Sequence, residues 1–245
     1  YGFSTDRTII TKLKPHLRLW LSLFVKQSRL ILEEAGFQAQ RGLSKIPKIA
    51  IIDYGIGNLF SIRCALRKIG LEVAVVSKPG ELDGYDGIVL PGVGNFKSGA
   101  KNLRHLSMDI VRFVNNGAPI LGICLGMQLL FEKSEESPGE GLSLIRGRVL
   151  RLPENVKAPH MGWNTLHILD DNALLDGVSE DDYFYFVHSY YASPSEKVVV
   201  AETKYGASFA SVVAKKNIFG TQFHPEKSGK PGRKVLRNFA GIVKR

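Results

Sequence analysis

One stretch constrains the chain more than any other: Ala118-Pro-Ile-Leu-Gly-Ile-Cys-Leu-Gly-Met-Gln-Leu-Leu-Phe131. The apolar run Ile120–Ile123 reads as a short buried strand. Cys124 follows at once, and Leu125–Phe131 reads as the opening of a helix. The cysteine therefore falls at a sharp strand-to-helix turn between Gly122 and Gly126. That is the pattern of a nucleophile elbow, with sulfur in place of a serine hydroxyl. Glycine suits both flanks because a side chain there would crowd a strained turn. The adjoining helix N-terminus favours thiolate over thiol and leaves the Leu125 N–H free to face an oxyanion. A buried cysteine in an apolar run is otherwise a small packing hydrophobe, so a second site has to decide.

Phe219-Gly-Thr-Gln-Phe-His-Pro-Glu-Lys-Ser228 supplies it. Pro225 pushes His224 into an extended conformation. In an extended segment the side chains of His224 and Glu226 leave on one side. The carboxylate can then accept a proton from one imidazole nitrogen while the other faces the thiol. Cys124, His224 and Glu226 together make an acyl-transfer triad.

These motifs, with Pro91-Gly-Val-Gly-Asn-Phe96, Gly126–Glu136, Pro159-His-Met-Gly-Trp-Asn164 and Phe186-Val-His-Ser-Tyr190, resemble the class I (triad) glutamine amidotransferases. Within that group they are most similar to the glutaminase subunits of imidazole glycerol phosphate synthases. The resemblance covers roughly residues 48–245. It implies glutamine hydrolysis, with ammonia passed to a (β/α)8-barrel cyclase in histidine biosynthesis, in a heterodimer and without a cofactor. It implies that Pro91–Gly94 is an oxyanion strand, whose Val93 or Gly94 N–H joins that of Leu125. It places Gly92, Gln128, Ser189 and Tyr190 around the substrate glutamine. It also implies a partner-facing rim, to which Asn58, Trp163, Tyr185 and Lys227 are assigned as anchors. A glutaminase of vitamin B6 synthesis and a free-standing thiol γ-glutamyl hydrolase are the alternatives.

The remaining chain agrees with a flavodoxin-like α/β domain over 48–245: a mostly parallel sheet, helices on both faces, antiparallel additions. Lys48–Asp53, Glu72–Val76 and Asp86–Leu90 read as strands, and Leu59, Ile62, Leu66 and Ile69 mark one helix face. Short connections imply parallel pairing, and the active site belongs at the strand C-termini. Tyr54-Gly-Ile-Gly-Asn58 is not a dinucleotide fingerprint, because Phe60 occupies the third glycine position. Lys97–Asn116 reads as a helix, Glu132–Glu140 as a loop, and Trp163–Leu169, Asp182–Ala192, Lys197–Lys204 and Ala207–Lys215 as strands. A last helix starts near Pro231. His160, His167 and His188 read as structural histidines.

Two cysteines, Cys64 and Cys124, make neither a disulfide framework nor a zinc site and suit a reducing, cytoplasmic setting. No apolar run is long enough to span a membrane. The net charge is +10, and residues 1–47 carry eight Lys/Arg against three Asp/Glu, half of that excess. No nucleic-acid-binding signature accompanies the charge. Residues 1–47, with a candidate helix over His16–Glu34, read as an added basic segment. A targeting sequence, a docking helix and an artefact of the reading frame all fit it.

Overall fold

The computed structural model describes residues 46–244; the candidate helix over His16–Glu34 lies outside them. The first half alternates strand and helix. Strand β1 (Lys48–Ile52) leads to helix α1 (Leu59–Lys68), then β2 (Glu72–Val76), β3 (Gly87–Gly92), α2 (Phe96–Asn115), β4 (Ile120–Cys124) and the short α3 (Leu125–Gln128). Asn58 caps α1 by accepting from the Ser61 N–H, and Asn95 caps α2 by accepting from that of Ser98. The second half is β-rich: β5 (Lys133–Ser134), β6 (Gly147–Arg151), β7 (His160–Asn164), β8 (His167–Ile168), β9 (Phe184–His188), β10 (Tyr190–Pro194), β11 (Val199–Tyr205), β12 (Ala207–Lys215) and β13 (Ile218–Thr221). Helix α4 (Gly229–Val243) closes the chain.

The central sheet runs β2-β1-β3-β4-β13-β12-β11-β8. From β2 to β13 every pairing is parallel; β12, β11 and β8 add on antiparallel. Of the parallel strands, β1, β3, β4 and β13 are buried on both faces, as continuous apolar runs require, while the edge strand β2 is half exposed. Their side chains alternate between two cores. Ala50, Ile52, Ile88, Leu90 and Ile120 pack with Leu103, Leu106 and Ile110 of α2. Ile49, Ile51, Val89, Leu121 and Ile123 pack with Ile62 and Leu66 of α1 and Val235 and Phe239 of α4. Two small sheets, β10-β6-β5 and β7-β9, stand beside the main one.

Four elements differ from the sequence reading, each through non-local contacts; one is the strand expected over Trp163–Leu169, which splits between β7, paired with β9, and β8, paired with β11 of the main sheet. The helix expected to reach Phe131 stops at Gln128. The carbonyls of Leu129, Leu130 and Phe131 accept instead from the N–H groups of Leu142, Leu144 and Ser143, so a returning loop replaces the next helical turn. The loop expected at Glu132–Glu140 contains β5, which pairs with β6. The strand expected over Asp182–Ala192 breaks at Ser189: β9 pairs with β7, and β10 pairs with β6 in a different sheet.

Candidate active site

The strand order sets the site. β4 lies between β3 and β13, so the C-terminal ends of all three meet. The register aligns Gly92 of β3 with Cys124 of β4, and Thr221 of β13 with Ile123. Pro91–Gly94 therefore flanks the cysteine on one side and the His224 turn on the other.

Cys124 sits at the elbow with φ 55° and ψ −111°. A positive φ on a non-glycine residue stores strain of about 1–3 kcal/mol. The neighbours hold it there. A Cβ on Gly122 would come within 2.7 Å of the Gly126 carbonyl oxygen, and one on Gly126 would overlap Leu90 O. Gly92 lies behind the pocket rather than in its lining; a Cβ there would run into the Tyr54 hydroxyl and lie 2.9 Å from Leu125 Cβ.

His224 and Glu226 are almost fully buried, and His224 Nδ1 donates to Glu226 Oε1 at 2.8 Å. The expected contact forms, but by a different route. His224 is extended, while Pro225–Lys227 coils into one 3-10 turn that brings the carboxylate back under the ring. Ser228 braces this turn: its hydroxyl donates to His224 O and accepts from the Tyr185 N–H of β9. Among the described residues His224 Nε2 has no hydrogen-bond partner within ordinary distance, yet the Cys124 sulfur lies close enough to couple to the ring. Burial alone would lower the His224 pKa. Cys124 and Glu226 outweigh it and push the value up to about 10.

A pocket of about 260 Å³ opens onto the sulfur. Its lining includes the predicted residues Val93, Gly94, Cys124, Leu125, Gln128, Ser189 and Tyr190. Gly94 has φ 104°, a backbone that only glycine adopts without strain. Gln128 is buried, and both its amide hydrogens are engaged, by Tyr190 O at 2.9 Å and Gln222 Oε1 at 3.1 Å.

Sequence reasoning missed three contributors. Glu136 lines the same pocket, and one of its oxygens accepts from the Phe96 N–H at the start of α2. Gln222 is fully buried and donates towards the sulfur at 3.7 Å. His188 also lines the pocket. Its Nδ1 contacts Tyr190 O at 2.9 Å and its Nε2 contacts His160 Nδ1 at 3.1 Å. A carbonyl can only accept, so His188 carries its proton on Nδ1 and His160 does the same. Burial, reinforced by His160, pushes the His188 pKa down to about 3. The only local signal was their position inside quoted motifs; the contacts themselves span long separations.

The residues assigned to the rim are partly gathered. Trp163 and Tyr185 meet edge to face with centroids 5.8 Å apart, and Lys227 Nζ lies 5.7 Å from the centre of the Tyr185 ring. Asn58 is exposed at the start of α1, a helix that packs against the Pro225–Lys227 turn. Among the described residues no group of three or more His, Cys, Asp or Glu could hold a metal ion, and no helix is long and apolar enough to cross a membrane.

Comparison with known proteins agrees with this geometry. Residues 50–242 match the family model of class-I glutamine amidotransferases. The chain is 55% identical over 197 residues to the imidazole glycerol phosphate synthase subunit HisH of Methanothermobacter thermautotrophicus, covering 80% of this chain and 99% of that one. It is 48% identical over 196 residues to the subunit of the same name from Methanocaldococcus jannaschii, covering 80% and 100%. Among solved structures, PurLQS from Thermotoga maritima superposes with a TM-score of 0.67 at 22% identity, over 81% of this chain and 99% of that chain. A glutamine amidotransferase from the same organism gives 0.62 at 15%, over 81% and 98%; likeness at this level shows the fold. With its elbow, its strand order and its matches along residues 50–242, the chain belongs to the class I glutamine amidotransferases, among the HisH-type subunits of imidazole glycerol phosphate synthase.

Proposed function

We propose that the chain is the glutaminase subunit of an imidazole glycerol phosphate synthase, hydrolysing glutamine to glutamate and ammonia with Cys124, His224 and Glu226 as its triad. The observation that carries the reading is Cys124 at the tip of β4, between the glycine-bearing end of β3 and the buried His224–Glu226 pair.

The raised pKa leaves His224 protonated at neutral pH, an imidazolium beside the nucleophile. The Cys124 thiolate attacks the side-chain amide carbon of glutamine. The N–H groups of Leu125 and of Val93 or Gly94 stabilise the oxyanion, a contribution of about 3 kcal/mol per donor. His224 gives its Nε2 proton to the departing nitrogen, and ammonia leaves behind a γ-glutamyl thioester. Thioester formation removes the sulfur's charge, which is one of the two influences holding the imidazole protonated. His224 is then a base able to take a proton from water. The resulting hydroxide cleaves the thioester, glutamate leaves, and the ion pair is restored. Glu226 orients the ring throughout. Both amide hydrogens of Gln128 are engaged by protein, which leaves its oxygen as an acceptor. With the Glu136 carboxylate it makes an acceptor pair suited to the α-ammonium group of glutamine.

The relatives are named as subunits, which supports a partner. Ammonia released into water would be protonated and lost, so a cyclase that receives it directly follows from the chemistry; a (β/α)8 barrel is the partner the family resemblance points to. The test is a glutaminase assay with the cyclase and its ribonucleotide ligand. Wild-type chain turns over glutamine, and Cys124→Ala, still folded by circular dichroism, loses at least about 10³-fold, the scale of losing a nucleophile. Retained turnover in that variant would overturn the triad. Equal turnover by the isolated chain would favour a free-standing γ-glutamyl hydrolase.

A further inference from the structure

We propose that Gln222 is a positioning residue for the nucleophile: its side-chain N–H points at the Cys124 sulfur because Gln128 and the Tyr190 carbonyl leave it no other orientation. The inference rests on Cys124 being the nucleophile.

The orientation can be deduced link by link. Tyr190 O is a backbone carbonyl and can only accept, so the Gln128 atom 2.9 Å away is the amide nitrogen. That nitrogen also reaches the Gln222 side chain at 3.1 Å, so Gln222 must present its oxygen there. The Gln222 nitrogen is thereby turned towards Cys124 Sγ, at 3.7 Å. The backbone of Gln222 is pinned as well, its N–H donating to Ser211 O at 2.9 Å. The side chain has no solvent around it to offer an alternative partner, because the residue is fully buried.

A donor aimed at sulfur has a definite consequence. A thiolate is a far better acceptor than a thiol, so an N–H on the sulfur favours the ionised form. The other hydrogen-bonding neighbour of the sulfur works in the opposite sense: Val187 O, at 3.8 Å, can accept only from the protonated thiol. Gln222 therefore offsets Val187 and supplies a second source of thiolate stabilisation beside the His224 imidazolium. Tyr190, Gln128 and Cys124 of this chain line the pocket, with Gln222 buried behind them. An occupant that moves Gln128 would change the donor seen by the sulfur.

The test uses the full chain in complex with its cyclase, in a Cys64→Ser background so that Cys124 is the thiol that reports. The pH dependence of alkylation by iodoacetamide gives the midpoint for thiolate formation. Gln222→Met keeps length and volume but removes the donor. It raises the midpoint by about one unit, a tenfold change in the thiol ionisation constant, and lowers kcat with a smaller change in KM. Gln128→Met, which frees the Gln222 amide to rotate, gives a smaller shift in the same direction and keeps the idea testable should Gln222→Met fail to fold. A midpoint unmoved in whichever of these variants folds overturns the inference. Turnover that survives loss of Cys124 would instead overturn the triad itself, so the two failures are distinguishable.

Discussion

At the scale of single residues the site depends on two backbones touching. The elbow places Cys124 at φ 55°, a conformation that an L side chain adopts only when its surroundings overdetermine it. Gly126 is what lets the elbow lie against β3, since any side chain would enter the Leu90 carbonyl. Gly126→Ala is accordingly expected to cost about 3 kcal/mol or more, at the upper end for overpacking because backbone rather than a mobile side chain must yield. Urea denaturation of the variant against wild type measures this. A loss below about 0.5 kcal/mol, the level of ordinary surface changes, would mean that the elbow and β3 are not in contact. Activity should fall with stability, because the shift that relieves the clash displaces the Leu125 N–H.

At the scale of elements, β7 and β9 carry a buried polar pair behind the pocket. His160 on β7 and His188 on β9 share a hydrogen bond across the two strands, and both pKa values are lowered, chiefly by burial. For His188 the folded value is about 3 against 6.5 without its surroundings. The unfolded chain therefore binds more protons than the folded one between those values, and stability rises with pH across that window. The neutral ring's contribution is complete above about 6.5 and is lost as pH falls towards 3. Among the described residues the charged group adding to this from outside the pair is His224, whose positive form also disfavours a charged His188. Urea midpoints collected from pH 7 down to 4 should fall in wild type, and fall less steeply in His188→Asn, which retains a donor for Tyr190 O but cannot titrate. Parallel slopes would rule out His188 as the source. Nothing local announced that these two structural histidines would pair. Elbow and His-Pro-Glu turn were legible because each is a short segment whose chemistry lies within five or so residues. The two histidines, Gln222 and Glu136 acquire partners 28, 98 and 40 positions away in the chain, and a single sequence carries no record of such distances. The break at Ser189 was hidden for the same reason: aromatic and other strand-forming residues lie on both sides of it, while the pairing partner changes from β7 to β6.

At the scale of the whole molecule, the end of the sheet that carries the candidate site also carries exposed apolar side chains. Phe60 is 78% exposed, Met161 63% and Trp163 56%. Phe60 opens α1 just past the C-terminal end of β1, and α1 packs against the turn that holds Glu226 and Lys227. Lys227 in turn lies by Tyr185, which contacts Trp163. Phe60, Lys227, Tyr185 and Trp163 are thus linked through neighbouring elements beside the His224–Glu226 turn. Exposed apolar side chains with a cation over an aromatic ring have the composition of an interface centre. On the proposed function, passing ammonia to a synthase calls for the partner to cover this end, since one seated elsewhere would leave the nitrogen to water. Trp163→Ala is expected to weaken binding to the cyclase by about 2 kcal/mol, roughly thirtyfold in Kd, and Phe60→Asp to weaken it through an unpaired charge buried in the complex. Both side chains are exposed in the isolated chain, so its thermal stability should stay within about 0.5 kcal/mol of wild type. Calorimetric titration of the cyclase, run beside the coupled glutaminase assay, separates the two effects. Affinity and coupling unchanged in both variants would place the partner on another surface, and the ammonia route would then have to leave the triad through the protein rather than through this rim.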